Sequence, residues 1–333
     1  MYELIGLCLT LAALMTLNTL ASLAAAMGWR MLKHRARGWS AASRARLLFT
    51  LRVFPPLVAL ACVALIILPS YLIYEPHESG ETVSLKLAAL PLLSATGLLL
   101  AIWRGLMAWR ATRRLTANWM SQAEPIKLHN IAIPSYRIKH AFPIIAIVGA
   151  LRPRLFIAEG VFHSLSSEEI AAAIAHENGH LVARDNLKRS LLRICRDVLT
   201  IVPCGRAIDR AWTEASESAA DEHAARANAE IALDLASALV KIARLVPAGL
   251  RPAMPAGVSL IGDDIGGIVH RVHRLTQIAG MSDYAAGRGA LAWRVAFGAS
   301  ISIFLSAAAL LITNLHFLAT VHGLIEHLVA TLR

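Results

Sequence analysis

Four stretches of the chain run apolar without an Asp, Glu, Lys, Arg or His: Leu4–Trp29, Val53–Tyr74, Leu87–Trp103 and Val295–Leu315. Each approaches or exceeds the roughly 20 apolar residues that a helix needs to cross the hydrocarbon core, so each is read as a membrane span. The third is the shortest, but Lys86 and Arg104 at its ends can snorkel outward and Trp103 suits an interface. Pro55-Pro56 falls at the start of the second, where proline is tolerated as a first helical residue. The first segment follows Met1-Tyr2-Glu3, with no positive charge, and is too long for a signal-peptide core, so it too is read as a span.

Between the third and fourth spans the pattern changes to mixed polarity. This divides the chain into residues 1–114 (three spans, with a basic loop at 30–52), a water-soluble domain at 115–294, and residues 295–333 (the fourth span, to about 315, and a short tail). The domain opens with strand-like runs: Ile131–Ile138, broken by Pro134, then Phe142–Val148, then Leu155–Ala158 after a turn through Gly149 and Pro153. After Gly160 the texture becomes helical. Ser166-Ser167-Glu168-Glu169 reads as a capping box, and the Ala-rich run that follows is a strong helix former. Further helices are expected at about 186–202, 208–228 and 230–246, and a Gly/Asp-rich loop at 257–268. The fold class is a mostly α membrane protein carrying an α+β domain between its third and fourth membrane helices.

Composition supports that reading: 56% of the 333 residues are hydrophobic and only 17% charged, against about a quarter charged in soluble domains. The formal net charge of +11 would by itself suggest nucleic acid, but its distribution argues otherwise. Arg30, Lys33, Arg35, Arg37, Arg44, Arg46 and Arg52 crowd one interspan loop, whereas the next holds Glu75, Glu78 and Glu81 against Lys86. Under the positive-inside rule both termini are extracytoplasmic, the 30–52 loop and the large domain are cytoplasmic, and the chain resides in the cell (cytoplasmic) membrane. Arginines beside the membrane meet anionic headgroups, so the lipid bilayer is the expected partner and nucleic acid is not. Cys8, Cys62, Cys195 and Cys204 form neither a disulfide framework nor a C-x-x-C pair.

The capped helix runs into His176-Glu177-Asn178-Gly179-His180, an H-E-x-x-H motif. Residues four apart share a helix face, so two imidazoles there can hold one zinc ion while Glu177 takes a proton from an attacking water. Zinc catalysis needs a third protein ligand. Glu217 and Asp221 lie four apart in an Ala-rich helical stretch, so Glu217 can ligate while Asp221 accepts an imidazole N–H; Asp185 is a second orienting carboxylate, and Glu214 and His223 are rival ligands. Gly179 weakens the helix by about 1 kcal/mol relative to alanine unless it serves close backbone packing.

The segment Gly149–Gly160, the Ser-Ser-Glu-Glu helix start, H-E-x-x-H, Arg184-Asp185-Asn186 and E-S-A-A-D at 217–221 together resemble the BlaR/MecR-type antirepressor membrane metallopeptidases, related to the HtpX and CAAX-prenyl endopeptidases. The resemblance implies a cytoplasmic zincin-like (gluzincin) domain, Zn2+ held by His176, His180 and Glu217, Glu177 as the catalytic glutamate, and Asp221 and Asp185 in support. His223 and Arg226 are the candidates for stabilising the transition state. The chain departs from the beta-lactam sensors of this type: residues 316–333 are too few for a penicillin-binding domain, so any sensor or regulator is expected to be a separate protein.

These readings lead to an integral-membrane zinc endopeptidase that cleaves a cytoplasmic or membrane-associated protein, such as a regulator or repressor in signal transduction. Two alternatives stand beside it: a non-catalytic signalling scaffold that keeps the fold, and a membrane quality-control protease of the HtpX kind.

Overall fold

Helix α1 (Tyr2–Leu32) is followed by one 3-10 turn and then by α2 (Ala41–Cys62), a π-helical turn at Val63–Ile67 and α3 (Leu68–Tyr74), which together make one continuous rod. A fourth helix, α4 (Leu85–Met120), runs from the membrane-like segment into the polar domain. The structure, a computed structural model, describes residues 2–75, 85–128, 131–198, 205–226, 228–245, 265–280 and 313–332, with a few isolated positions between 280 and 313. Among the described residues, three helices are long and apolar enough to cross a membrane: Tyr2–Leu32, Ala41–Tyr74 and Ala88–Met120. The fourth expected span, 295–315, falls largely outside the described residues, as does most of the expected loop at 257–268.

Two features of the second span differ from expectation. Its helix starts at Ala41, capped by Ser40, whose hydroxyl accepts from the Ser43 N–H. Pro55 and Pro56 are therefore helix-interior, and Arg44, Arg46 and Arg52 ride on a helix, not in a loop. The π-helical turn follows the prolines within two turns, where the broken hydrogen-bond ladder can re-register. Beyond the fourth apolar segment, the expected tail is helical as α11 (Leu315–Leu332), packed on α3 with Leu318 buried.

The polar domain is built on a four-stranded sheet in the order β1-β2-β4-β3, from β1 (Glu124–Ile126), β2 (Ser135–Ile138), β3 (Ile145–Val148) and β4 (Arg154–Ala158). β2 and β4 are parallel; the outer pairs are antiparallel. β2 begins directly after Pro134, and only the second half of the Phe142–Val148 run forms a strand. Gly149 takes φ +105 in the β3–β4 turn, and a Cβ there would stand 2.6 Å from the Arg152 carbonyl oxygen, so the turn needs glycine.

Helices α5 (Glu159–Ser164), α6 (Ser167–Ala183), α7 (Asp185–Val198), α8 (Gly205–Ala225), α9 (Ala229–Leu245) and α10 (Ile265–Ala279) follow. The sheet core includes Phe156, Ile145 and Ile157, and Trp119 from the end of α4 stacks edge-on against Phe156. A second cluster joins α6, α8, α9 and α10 through Ala172, Ala224, Leu235, Leu239 and Leu275. A third joins the spans to the domain: Ala45 and Leu48 of α2 pack on Leu192, Ile208, Trp212 and Ala215.

Candidate metal centre

Helix α6 is fixed at both ends. Ser166 caps it by accepting from the Glu169 N–H, and Glu169 returns a bond from the Ser166 N–H, as the sequence predicts. Glu169 also accepts from Ser237 and Lys241 of α9, tying the cap to the next layer. At the other end Arg184 adopts the left-handed conformation (φ 54), and α7 starts at the very next residue. That tight join brings Asp185 back over the last turn of α6, 2.8 Å from His180 Nδ1.

The opposite wall is α8. A Cβ at Gly179 would stand 3.0 Å from Ala220 Cα and 3.1 Å from His223 Cβ, so the absence of a side chain lets α6 and α8 approach closely. Glu217 and Asp221, one turn apart on α8, then face the two histidines. His176 Nδ1 is 2.8 Å from Asp221 Oδ1, and the Nε2 atoms of His176 and His180 lie 3.6 and 3.5 Å from the Glu217 carboxylate oxygens. Because a carboxylate only accepts, each Nδ1 must carry a proton, so the Nε2 side, which faces Glu217, is the one that would supply a lone pair to a metal when the ring is neutral.

His176, His180 and Glu217 form a buried group whose ligand atoms all lie within 4.8 Å of one another. His180 Nε2 is buried without a hydrogen-bond partner. An orphaned imidazole nitrogen beside a second imidazole and a carboxylate is a two-nitrogen, one-oxygen donor set of the kind zinc takes. The set fits the ion.

The electrostatics point the same way. Burial disfavours the charged imidazolium at His180, yet Glu217 and Asp185 outweigh it and raise the group to about 10. Burial likewise opposes ionisation of Asp221 and Glu217, but Arg271 and the histidines hold Asp221 down to about 2 and Glu217 well below the usual carboxylate range. Glu217 and Asp221 are thus held ionised by positive neighbours, Arg271 and Arg189 among them, and remain available as anionic partners for the imidazoles. Glu177 is the exception: burial raises its carboxyl above the ordinary value, and the Ile147 N–H donates to it at 3.3 Å. A group so poised can both accept and return a proton.

Glu177 and His180 line a cavity of about 350 Å³ between the β3 edge, the β3–β4 turn and the α6–α7 join, with Leu151, Leu181 and Leu187 among its walls. Asn186 donates to the carbonyls of Ile147 and Gly149 at 2.8 and 3.3 Å, holding the edge strand against the cleft.

Of the other sequence candidates, Glu214 is exposed and stands apart from the centre. His223 is half-buried against α6, with its imidazolium disfavoured by burial and by the charges of Arg226 and His176; Arg226 is exposed on the turn after α8. Two residues escaped sequence reading. Arg271, on α10 where a loop was expected to end, grips Asp221 with two bonds of 3.0 and 2.7 Å and places its third nitrogen 3.2 Å from Glu217. Arg189 donates to Glu217 at 2.9 Å from α7. The basic residue types on α10 gave no spacing signal that would have found Arg271.

No curated protein matches the chain. A family comparison places residues 146–207, from β3 through the histidine motif and Asp185 to the start of α8, in agreement with Peptidase family M48, so in this stretch the chain is similar to a metallopeptidase family.

Proposed function

We propose that the protein is an integral-membrane zinc metalloendopeptidase with its active site on the cytoplasmic side and both termini outside. It cleaves a cytoplasmic or membrane-associated protein, with a signalling regulator or repressor as the substrate class, in the manner of the BlaR/MecR-type peptidases. The observation that carries the reading is the convergence of two Nε2 atoms and one Glu217 carboxylate, each histidine oriented by its own aspartate, beside Glu177 in an open cleft. The partial match to Peptidase family M48 supports it.

His176, His180 and Glu217 would hold the zinc; when bound, it supplies Lewis acidity that lowers the pKa of water toward 7 and polarises a substrate carbonyl. Glu177 accepts a proton from the attacking water as the new C–O bond forms, and hands it to the amine nitrogen as the C–N bond breaks. Asp221 and Asp185 keep both imidazoles in the ligating tautomer. The β3 edge and the cavity wall position an extended peptide over Glu177, and His223 borders the same helix pair.

A proteome-wide comparison of cleavage products between wild type and Glu177→Gln tests this. Loss of a defined set of products together with one changed transcript set is expected. Undiminished cleavage by purified Glu177→Gln would overturn the proposal, and accumulation of many misfolded membrane proteins would redirect it to quality control.

A further inference from the structure

A second cluster of metal-ligating side chains lies far from the first. The rod formed by α2, the π turn and α3 spans Ala41–Tyr74, 34 residues, or about 50 Å at about 1.5 Å per residue. At its start the Ala41 N–H donates to Glu222, the neighbour of Asp221 in the candidate metal centre. At its other end stands Glu75, which ends α3. There His322 and Glu326, one turn apart on α11, come to meet it. His322 Nε2 is 3.8 Å from Glu75 Oε2 and 3.7 Å from Glu326 Oε1, and no two of the three ligand atoms are more than 4.8 Å apart.

This meeting is built, not incidental. Ser70 donates to the Leu318 carbonyl at 2.8 Å and Tyr74 to the Leu315 carbonyl at 2.9 Å, so two bonds from α3 dock the first turn of α11. The Tyr74 ring tilts against His322 at 5.9 Å and restricts its orientation. Nδ1 of His322 is buried without a hydrogen-bond partner, which leaves the ring's polar reach to the Nε2 side. Glu75 is nearly buried, while Glu326 is exposed and free to swing inward.

We propose that Glu75, His322 and Glu326 form a second divalent-metal site, taking a zinc-like transition ion at the end of the rod opposite the first centre. One imidazole and two carboxylates neutralise a 2+ charge, and the nitrogen donor favours zinc, copper or nickel over calcium or magnesium. Ligand atoms sharing a tetrahedral ion at about 2.0–2.2 Å stand about 3.4 Å apart, so each histidine–glutamate pair needs to close by less than half an ångström. The histidine–glutamate pair four apart on α11 supplies two ligands from one helix face. The ion would clamp α11 to the end of α3.

The full-length protein, purified in detergent, stripped with a chelator and titrated with Zn2+ or Co2+, tests the site without reference to peptidase activity. Wild type is expected to bind two equivalents, His322→Gln one, and His176→Gln/His180→Gln the other one. Glu326→Gln, at an exposed side chain whose loss leaves the fold intact, is expected to weaken the second equivalent at least tenfold. A single equivalent in wild type, two undiminished equivalents in His322→Gln, or unchanged affinity in Glu326→Gln would each overturn the proposal. A single equivalent would leave the cluster as a contact between α3 and α11 with no ion.

Discussion

Gly179 occupies the closest approach of α6 and α8, and there two effects of opposite sign compete. Alanine would gain about 1 kcal/mol of helix propensity. Its methyl would stand 3.0 Å from the Ala220 backbone and 3.1 Å from His223 Cβ, and neither neighbour is a flexible side-chain end. Overpacking of this kind costs about 1–3 kcal/mol, so Gly179→Ala should lower stability by about 1 kcal/mol on balance, readable as a lower melting temperature in detergent. A raised melting temperature would mean that the helices part freely. At Asp221, which is 1% exposed and accepts from His176 Nδ1 and from Arg271, the outcome concerns the metal. Asp221→Asn removes the charge that fixes the imidazole tautomer and leaves Arg271 facing the centre with one carboxylate fewer. A 10- to 100-fold loss of zinc affinity is expected in competition with a chelating dye. Affinity equal to wild type would deny Asp221 any orienting role.

Helix α6 delivers both histidines, and its start is held by Glu169. Burial alone would raise that carboxyl, but the bonds from Lys241, Ser237 and the Ser166 N–H prevail and lower it. A depressed folded value means that Glu169 contributes stability above the ordinary carboxyl range, near about 4.3, and loses it as pH falls through the folded value. Glu169→Gln should therefore be about 1–2 kcal/mol less stable than wild type at pH 7, with the gap closing below about pH 4 in thermal unfolding. A gap independent of pH would show that the charge is immaterial. The start of α6 was legible because a capping box is a local signal, and the pairing of His176 with His180 on one face because one helical turn is local too. Arg271 was not, since it reaches Asp221 across 50 positions of sequence and nothing near either residue announces the pair. The three-residue β1 is too short for periodicity to register. The early start of α2 was hidden because basic residues between spans read as a loop, although Arg52 is buried at 3% exposure and bonded to Asp209 at 2.9 Å.

Arg52 also changes what the basic stretch does for the molecule as a whole. A positive residue beside a membrane serves orientation whether or not it touches anything, but Arg52 reaches into the polar domain, its guanidinium packed against the Gly205 backbone where a Cβ would stand 2.9 Å away. Leu48 and Ala45 bury Ile208 and Trp212, Trp119 at the end of α4 sits in the sheet core, and the Ala41 N–H is held by Glu222, next to Asp221. The polar domain thus takes part of its core from the membrane helices. Cutting the chain to residues 115–294, the boundaries that polarity alone suggests, would expose Trp212, Ile208 and Leu192, each worth about 1.5–3 kcal/mol when buried, and remove the buried Arg52 that bonds to Asp209. Against a typical net stability of about 5–15 kcal/mol, that loss leaves little or none. The excised domain should therefore aggregate or show early, non-cooperative melting by circular dichroism. A fragment beginning at Ser40 should keep the α2 contacts and, in detergent, melt as one unit with its metal retained. The loss should reach the metal as well as the fold, because α8 carries Ile208, Trp212, Glu217, Asp221 and Glu222 on one helix, and an α8 no longer seated on α2 cannot hold Glu217 against His176 and His180. A soluble, cooperatively folded 115–294 fragment that binds zinc as tightly as the whole chain would show instead that the membrane helices merely carry the domain.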